Sequence, residues 1–196
     1  TIDFGPCAFM DAFDPGTVFS SIDEGGRYAY GNQAAIAQWN LARFAETLLP
    51  LIDADRARAI EIATARIMGF PDLFNRHWIS GMRLKLGLFT EEEGDGDLVQ
   101  SWLALLQENA ADFTLSFRKL ADMALGSDDI RTCFVKPESF ATWAEVWKAR
   151  IAREPQSAEE RTAAMRSTNP AYIPRNHRVE AALEAAVKRD DLGPLK

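Results

Sequence analysis

NQAAIAQWNLARFAETLLP, residues 32–50, is the stretch that sets the fold class of this chain. Its apolar side chains recur every three or four residues, the spacing that places them on one face of an α-helix. They are Ile36, Trp39, Leu41, Phe44, Ala45, Leu48 and Leu49. Asn32 is a residue type that begins helices and Pro50 is one that ends them, so the pattern predicts a helix between these positions.

The same spacing continues downstream and predicts seven more helices. They cover about 53–68, 71–86, 98–106, 113–124, 140–151, a short segment from 157, and 179–187. Gly69 and Gly87 follow two of them, and we expect Gly69 to adopt the left-handed conformation that closes a helix. Ser157 and Glu160 have the spacing of a capping box. The chain is therefore predicted to be mainly α.

Residues 1–31 differ in character from this helical body. They contain Gly5-Pro6, Asp14-Pro15-Gly16 and Gly25-Gly26, which are combinations typical of turns. We expect a turn and loop segment here, with short irregular or β structure near residues 7–13. No linker and no repeat of solenoid length interrupts the remainder, so residues 32–196 are predicted to form one domain.

The composition limits the partners of the chain. A formal net charge of −7 over 196 residues disfavours broad contacts with a nucleic-acid backbone. No apolar run is long enough to span a membrane, and no basic and apolar leader indicates a signal peptide. The two cysteines, Cys7 and Cys133, lack metal-site spacing and fit a reducing compartment best, although a disulfide stays open. We expect a cytoplasmic protein without nucleic-acid or membrane partners.

Residues 91–97, EEEGDGD, form an acidic loop ahead of one predicted helix. A calcium loop is the sharper interpretation, but the required spacing of acids and the trailing Glu are missing. Negative charge at a helix N-terminus is stabilised by the helix dipole. We therefore predict that these acids serve the helix terminus and solubility.

The tripeptide Asp3-Phe4-Gly5 has the form that holds magnesium in protein kinases. Alone it is compatible with a metal-binding Asp, and equally with a turn whose carboxylate accepts a local N–H. Other enzyme signatures are absent, including phosphate-binding glycine loops, G-x-S-x-G and H-E-x-x-H. His77 lies within a predicted helix and is expected to be a packing or surface residue.

Several motifs follow one another in a specific order. They are TIDFGPCAFMDAFDPG (1–16), DEGGRYAYGNQ (23–33), WNL (39–41), MRLKLGLFTEEE (82–93), DFTLSFRKL (112–120) and MRSTNPAYIPRNHRVE (165–180). In this order they closely resemble the selenoprotein O family, also known as SelO or YdiU. The resemblance covers nearly the whole chain, which makes it far more specific than any one motif.

The chain departs from the family pattern at three places. Ala34 follows Gln33 where the family usually has Pro, and Cys7 stands where an aromatic residue is common. Residues 20–23, SSID, replace the usual CNHSD, so any role of that family cysteine is in doubt here. None of these changes touches Asp3.

The resemblance implies a protein-kinase-like fold, of which this chain is the helical C-lobe, and transfer of AMP from ATP to protein hydroxyl groups. It implies that Asp3 binds the Mg²⁺, or Mn²⁺, that contacts the ATP phosphates. The glycine-rich loop, the ion-paired lysine and the catalytic base would lie upstream, so the chain alone is expected to be inactive. The alternative is a helical protein-binding module of a degenerate kinase-like protein, a pseudokinase.

A second polar cluster, Arg175-Asn176-His177, precedes the last predicted helix. It is compatible with a ligand site, and also with ion pairing by Arg175 and helix capping by Asn176, which we favour. Arg27 and Tyr28 are likewise compatible with a ligand site or with a structural role. Packing of their segment onto the helical body is the interpretation that we favour.

Overall fold

The structure, a computed structural model, describes residues 9–195, most of which lie in eight α-helices. The helices are α1 (Gln33–Ile52), α2 (Arg56–Met68), α3 (Phe70–Leu86), α4 (Asp95–Glu108), α5 (Phe113–Met123), α6 (Pro137–Ile151), α7 (Ala158–Thr168) and α8 (Asn176–Arg189). Short 3-10 turns occupy Tyr30–Asn32, Asp129–Cys133 and Gly193–Leu195. The prediction of a mainly-α chain is confirmed.

The β structure expected near the N-terminus was wrong for the part of it that the structure describes. Residues 9–31 contain no strand, and a single isolated antiparallel bridge joins Ala12 to Asp112. The Asp14 side chain accepts a hydrogen bond from the backbone N–H of Gly16 at 2.8 Å, which is turn chemistry. The segment therefore runs over the helical body as turns and loop.

Three tryptophans mark the centre of the core, which is formed by α3 to α7. The ring centroid of Trp102 lies 4.4 Å from that of Trp143 and 5.6 Å from that of Phe117. The indole N–H of Trp147 donates to the Leu86 carbonyl at 2.9 Å, which satisfies its buried polar atom. These contacts join helices that are far apart in the chain.

The α1–α2 hairpin, residues 33–68, is much more exposed than this core. No residue of α1 is buried, and Ala59 is the one buried residue of α2. Trp39 is 47% exposed and Phe44 is 60% exposed, although both belong to the apolar stripe that defines α1. The stripe was correctly predicted as helical, but it faces no core within the described residues.

Two predicted helix ends differ from the structure. Pro50 lies inside α1, which continues to Ile52. Proline removes one N–H from the last turn, and at this exposed position water can bond the carbonyl that is left free. Gly69 has φ −79° and is right-handed, because α3 begins at the next residue and no reversing turn is needed. Gly87, by contrast, is left-handed with φ +74°.

The predicted capping box of α7 is present in full. The Ser157 hydroxyl accepts the Glu160 N–H at 3.1 Å, and the Glu160 carboxylate accepts the Ser157 N–H at 2.9 Å. Within the residues that the structure describes, no helix is both long and apolar enough to cross a membrane.

Candidate functional site

Asp3 lies outside the described residues, so the predicted metal ligand has no position in this structure. The chain that follows it is firmly attached from Phe9 onwards. The Phe13 N–H donates to the Ala111 carbonyl at 2.9 Å, and the Phe113 N–H donates to the Asp11 carbonyl at 2.7 Å. These two bonds tie residues 11–13 to the start of α5.

An ion pair strengthens the same attachment. The Arg175 guanidinium binds the carboxylates of Asp11 and Asp112, the latter at 2.6 Å. Its hydrogen bonds to Asp112 and, next in size, to Asp11 raise the pKa of Arg175, while its burial acts in the opposite direction. Arg175 therefore connects the N-terminal segment, the start of α5 and the start of α8.

The predicted pairing of Arg175 with an acid is thereby confirmed. The predicted capping role of Asn176 was wrong by one position, because α8 begins at Asn176 and Arg175 occupies the N-cap, where its side chain makes no capping bond. His177 is exposed. Arg175 is thus engaged with two carboxylates, as the ion-pairing interpretation predicts.

Arg27 and Tyr28 lie on the turn that leads into α1. The Asp23 carboxylate accepts the backbone N–H groups of both residues at 2.8 Å, which orders the turn. The Arg27 guanidinium lies 4.5 Å from the ring centroid of Trp39 on α1, a cation–π contact. Packing of this segment onto the helical body is thus what the structure shows for Arg27.

A cavity of about 260 Å³ lies beside the attached segment. Phe9 and Met10 line one side of it, and the other sides come from α3, α5 and the loop before α8. Lys85 on α3 contributes its ammonium group to this lining. The wall of the cavity includes Phe9, the first residue after Asp3 that the structure describes.

A buried ionic cluster, Asp95, Arg150 and Glu154, connects α4 to α6. Their side chains are 1%, 5% and 0% exposed. Arg150 Nε donates to Asp95 Oδ1 at 2.7 Å, and Arg150 Nη1 donates to Glu154 Oε1 at 2.7 Å. Arg83 Nε donates to the second Asp95 oxygen at 2.8 Å, which leaves both carboxylate oxygens bonded.

Burial alone would raise the pKa values of Asp95 and Glu154. Hydrogen bonds outweigh this effect of burial. Asp95 accepts them from Arg150 and from a backbone N–H, and Glu154 accepts them from Thr90 and Arg150. The pKa of each carboxyl is therefore lowered, and both stay ionised inside the core. The cluster holds the acidic loop against α6.

The interpretation of residues 91–97 as a solubility feature was wrong for Asp95. Its place in the first turn of α4 agrees with the predicted effect of the helix dipole, but its carboxylate is buried in the ionic cluster. A signal for this cluster exists in the sequence of α6. Trp143, Trp147, Arg150 and Glu154 continue one helical face, so two charges occupy positions where apolar residues are expected.

The described residues do not themselves form a metal site. Within residues 9–195 no group of three or more His, Cys, Asp or Glu side chains is placed to hold a metal ion. Asp11, the first acid of the described residues, and Asp112 are engaged by Arg175.

Comparison with known proteins decides the family. The family model described as protein adenylyltransferase SelO matches residues 1–196, the whole chain. The chain belongs to the SelO family. The resemblance found in the ordered motifs is thereby confirmed.

Curated members of the SelO family carry the name protein nucleotidyltransferase YdiU. The one from Rhizobium etli is 58% identical over 195 residues, and the one from Rhizobium meliloti is 55% identical over 194 residues. The one from Rhodopseudomonas palustris is 54% identical over 198 residues. These matches cover 97% to 100% of the chain but only 39% to 40% of each relative, so the chain spans about two fifths of the curated SelO proteins.

Proposed function

We propose that this chain is the helical C-lobe part of a kinase-like protein adenylyltransferase, which transfers AMP from ATP to Ser, Thr or Tyr hydroxyls of proteins. In that reaction the hydroxyl oxygen attacks the α-phosphorus of ATP. The bond between the α-phosphorus and the bridging oxygen breaks, pyrophosphate leaves, and a base outside this chain takes the hydroxyl proton. We also propose that residues 1–31 are the turn and loop segment of this lobe, that residues 32–196 form one domain, and that the protein acts in the cytoplasm.

The observation that carries the proposal is the match of the SelO adenylyltransferase model to all 196 residues. A metal-binding residue must be held in place, because positioning and electrostatics supply most of the catalysis in such transfers. The backbone bonds at Phe13 and Phe113 and the Arg175 ion pair hold residues 11–13 against the helical body. An attached stretch this close in sequence to Asp3 supports the proposal that Asp3 serves a site on this lobe.

Asp3 would supply a carboxylate oxygen to Mg²⁺ or Mn²⁺, which are hard cations that prefer such ligands. Such a metal neutralises charge on the phosphates of ATP during transfer. The remaining metal ligands, the nucleotide-binding loop and the base would come from parts of the longer protein outside this chain.

The substitution Asp3→Ala tests the assignment of Asp3 as a metal ligand. It is made in the full-length protein, which here means a protein of YdiU length that contains this chain. Incubation with α-³²P-ATP, Mg²⁺ or Mn²⁺ and a test protein should give no labelled protein, because the metal has lost a ligand. Glu24→Ala is the matched control, since Glu24 is an exposed acid in the same segment, and it should keep wild-type labelling. Retained labelling by Asp3→Ala would remove the metal assignment.

The 196-residue chain by itself is expected to give no measurable AMP transfer. One carboxylate without the nucleotide loop and base cannot position ATP for attack. The same labelling assay checks this, and labelled AMP on the chain or on the test protein would contradict it.

A second candidate function is a helical protein-binding module of a degenerate kinase-like protein. The exposed apolar stripe of α1, which includes Trp39 and Phe44, is the observation that favours it. The gene sequence upstream of Thr1 discriminates the two. A catalytic loop of the Asn-x-Asp-Asn type and an earlier glycine loop favour the enzyme, and their absence favours the module.

A further inference from the structure

The cavity of about 260 Å³ beside the N-terminal segment is shaped for a small apolar molecule. Most of its wall is apolar, and rings are contributed by Phe19, Tyr30, Phe113 and Phe117. An apolar cavity of about 150 Å³ is enough to accept benzene. The cavity therefore has room for one ring that carries a short substituent.

A single described cation, the Lys85 ammonium, lines this mainly apolar space, together with the neutral polar residues Thr114 and Asn169. It donates to Asn169 Oδ1 at 3.2 Å and lies 5.0 Å from the ring centroid of Phe117. Within the described residues it makes no salt bridge, which would require a carboxylate oxygen within 4.0 Å. Among the described residues, this half-buried ammonium thus has one neutral acceptor and an aromatic face, and no anion.

Asn169 holds the lysine in this position. It is fully buried, and its Nδ2 donates to the Lys85 carbonyl at 2.9 Å, which directs its Oδ1 to the ammonium of the same residue. Burial also lowers the pKa of Lys85, because the charged form is poorly solvated there. A bound anion would offset the free-energy cost of keeping the ammonium charged there, because it would pair with the positive charge.

We propose that this cavity binds a small organic carboxylate that carries one apolar ring. Its carboxylate pairs with the Lys85 ammonium, and its ring packs against the aromatic side chains of the wall. This combination of an apolar body and one fixed polar contact is the ordinary construction of small-molecule sites. The occupant would touch Phe9 and Met10, the first described residues after Asp3, so it would contact the segment that carries the proposed metal ligand.

The test compares 4-fluorobenzoate with 4-fluorobenzamide, its neutral counterpart, by ¹⁹F NMR titration of the full-length protein. A charge-assisted contact predicts that the acid binds about 10- to 100-fold more tightly than the amide. Lys85→Met keeps the apolar stem and removes the charge, so it should lower the affinity for the acid by the same factor and abolish the preference. Lys148→Met, which alters an exposed lysine on α6, should change neither affinity.

Three results would overturn the proposal. They are equal binding of acid and amide to the wild-type protein, undiminished acid binding by Lys85→Met, and absence of binding by either probe at millimolar concentration. If Lys85→Met does not fold, the test uses the wild-type protein and follows the ¹³Cε NMR signal of Lys85 as the pH is changed. Addition of 4-fluorobenzoate should move the titration of this signal to higher pH. A titration that does not move would equally overturn the proposal.

Discussion

The α1–α2 hairpin and the tryptophan core of Trp102, Trp143 and Trp147 look alike as sequence but differ as structure. Trp39 on α1 and Trp102 on α4 each belong to an apolar stripe at helical spacing. Trp39 is 47% exposed, whereas Trp102 is fully buried. Helical periodicity therefore reports the helix and its apolar face, and it does not report whether another element covers that face.

Coverage explains the difference. α4 is packed against α3 on one side and α6 on another, so its face is enclosed by helices from both directions of the chain. α1 packs mainly against α2, and only weakly against α3. Between α1 and α2 there remains an open groove of about 510 Å³. Apolar area buried against neighbours is the main source of helical stability in proteins, so the two regions should respond differently to the same substitutions.

The largest effect is expected for Trp102→Ala in the core. The substitution removes the ring contacts with Trp143 and Phe117 and leaves a large cavity that neighbouring helices can only partly fill. We expect the free energy of unfolding to fall by about 3–5 kcal/mol, measured by urea denaturation of the chain. A loss below about 1 kcal/mol would mean that the core is as loosely packed as the hairpin.

Arg150→Met is expected to cost about 3 kcal/mol, because it leaves Asp95 and Glu154 as buried charges without their main partner. The same denaturation assay measures it. Arg153→Met is the matched control one turn away, since the Arg153 side chain is 54% exposed and bonds the surface acid Glu92. Arg153→Met should lower the free energy of unfolding much less than Arg150→Met does. Equal losses of stability in the two variants would contradict the buried cluster.

Gly87→Ala tests backbone conformation at the end of α3. Gly87 has φ +74°, and an added Cβ would lie 2.6 Å from Met165 Sδ, so a loss of about 1–3 kcal/mol is expected. Gly69→Ala, at the junction of the hairpin with α3, should change the stability by no more than about 0.5 kcal/mol, because φ there is −79°. Thermal denaturation of both variants measures this, and similar losses would show that Gly69 also needs the left-handed conformation.

Acid should weaken the core cluster more than the hairpin. The pKa values of Asp95 and Glu154 are lower in the folded chain than in the unfolded chain. Their contribution is therefore complete above the unfolded values near pH 4, and it is lost as pH falls through the lowered folded values. Denaturation at pH 7, 5, 4 and 3 should show a loss confined to the acid end. In Arg150→Met this acid-end loss should become smaller, because without Arg150 the folded pKa values of Asp95 and Glu154 move back towards or above the unfolded values. An unchanged profile would contradict the assignment.

Phe44→Ala in α1 is expected to give the smallest effect. Phe44 is 60% exposed, so its removal should change the stability of the chain by no more than about 0.5 kcal/mol. Phe117→Ala is the matched core variant, with Phe117 only 1% exposed, and it should cost about 3–5 kcal/mol. Measuring both variants again in the full-length protein sharpens the comparison. A cost at Phe44 that appears only there would show that other parts of the protein cover α1.

The order of the helices and the capping box of Ser157 and Glu160 are properties of the sequence itself. They depend on residues no more than a few positions apart, and the amino-acid sequence gives both the spacing and the side-chain chemistry of such residues. The family was visible for a similar reason, because its motifs follow one another along the chain. The pairing of Arg175 with an acid could also be foreseen, but not that it would join Asp11 to Asp112.

Only the tertiary structure decided which helical faces are buried and which charges meet. Asp95 and Arg150 are 55 residues apart in sequence, and Lys85 and Asn169 are 84 apart, so nothing local indicates their contacts. The right-handed Gly69 and the exposed stripe of α1 have the same origin, since both depend on the path of neighbouring helices. Local spacing determines what a segment can form, whereas the packing of distant segments determines what each surface then contacts.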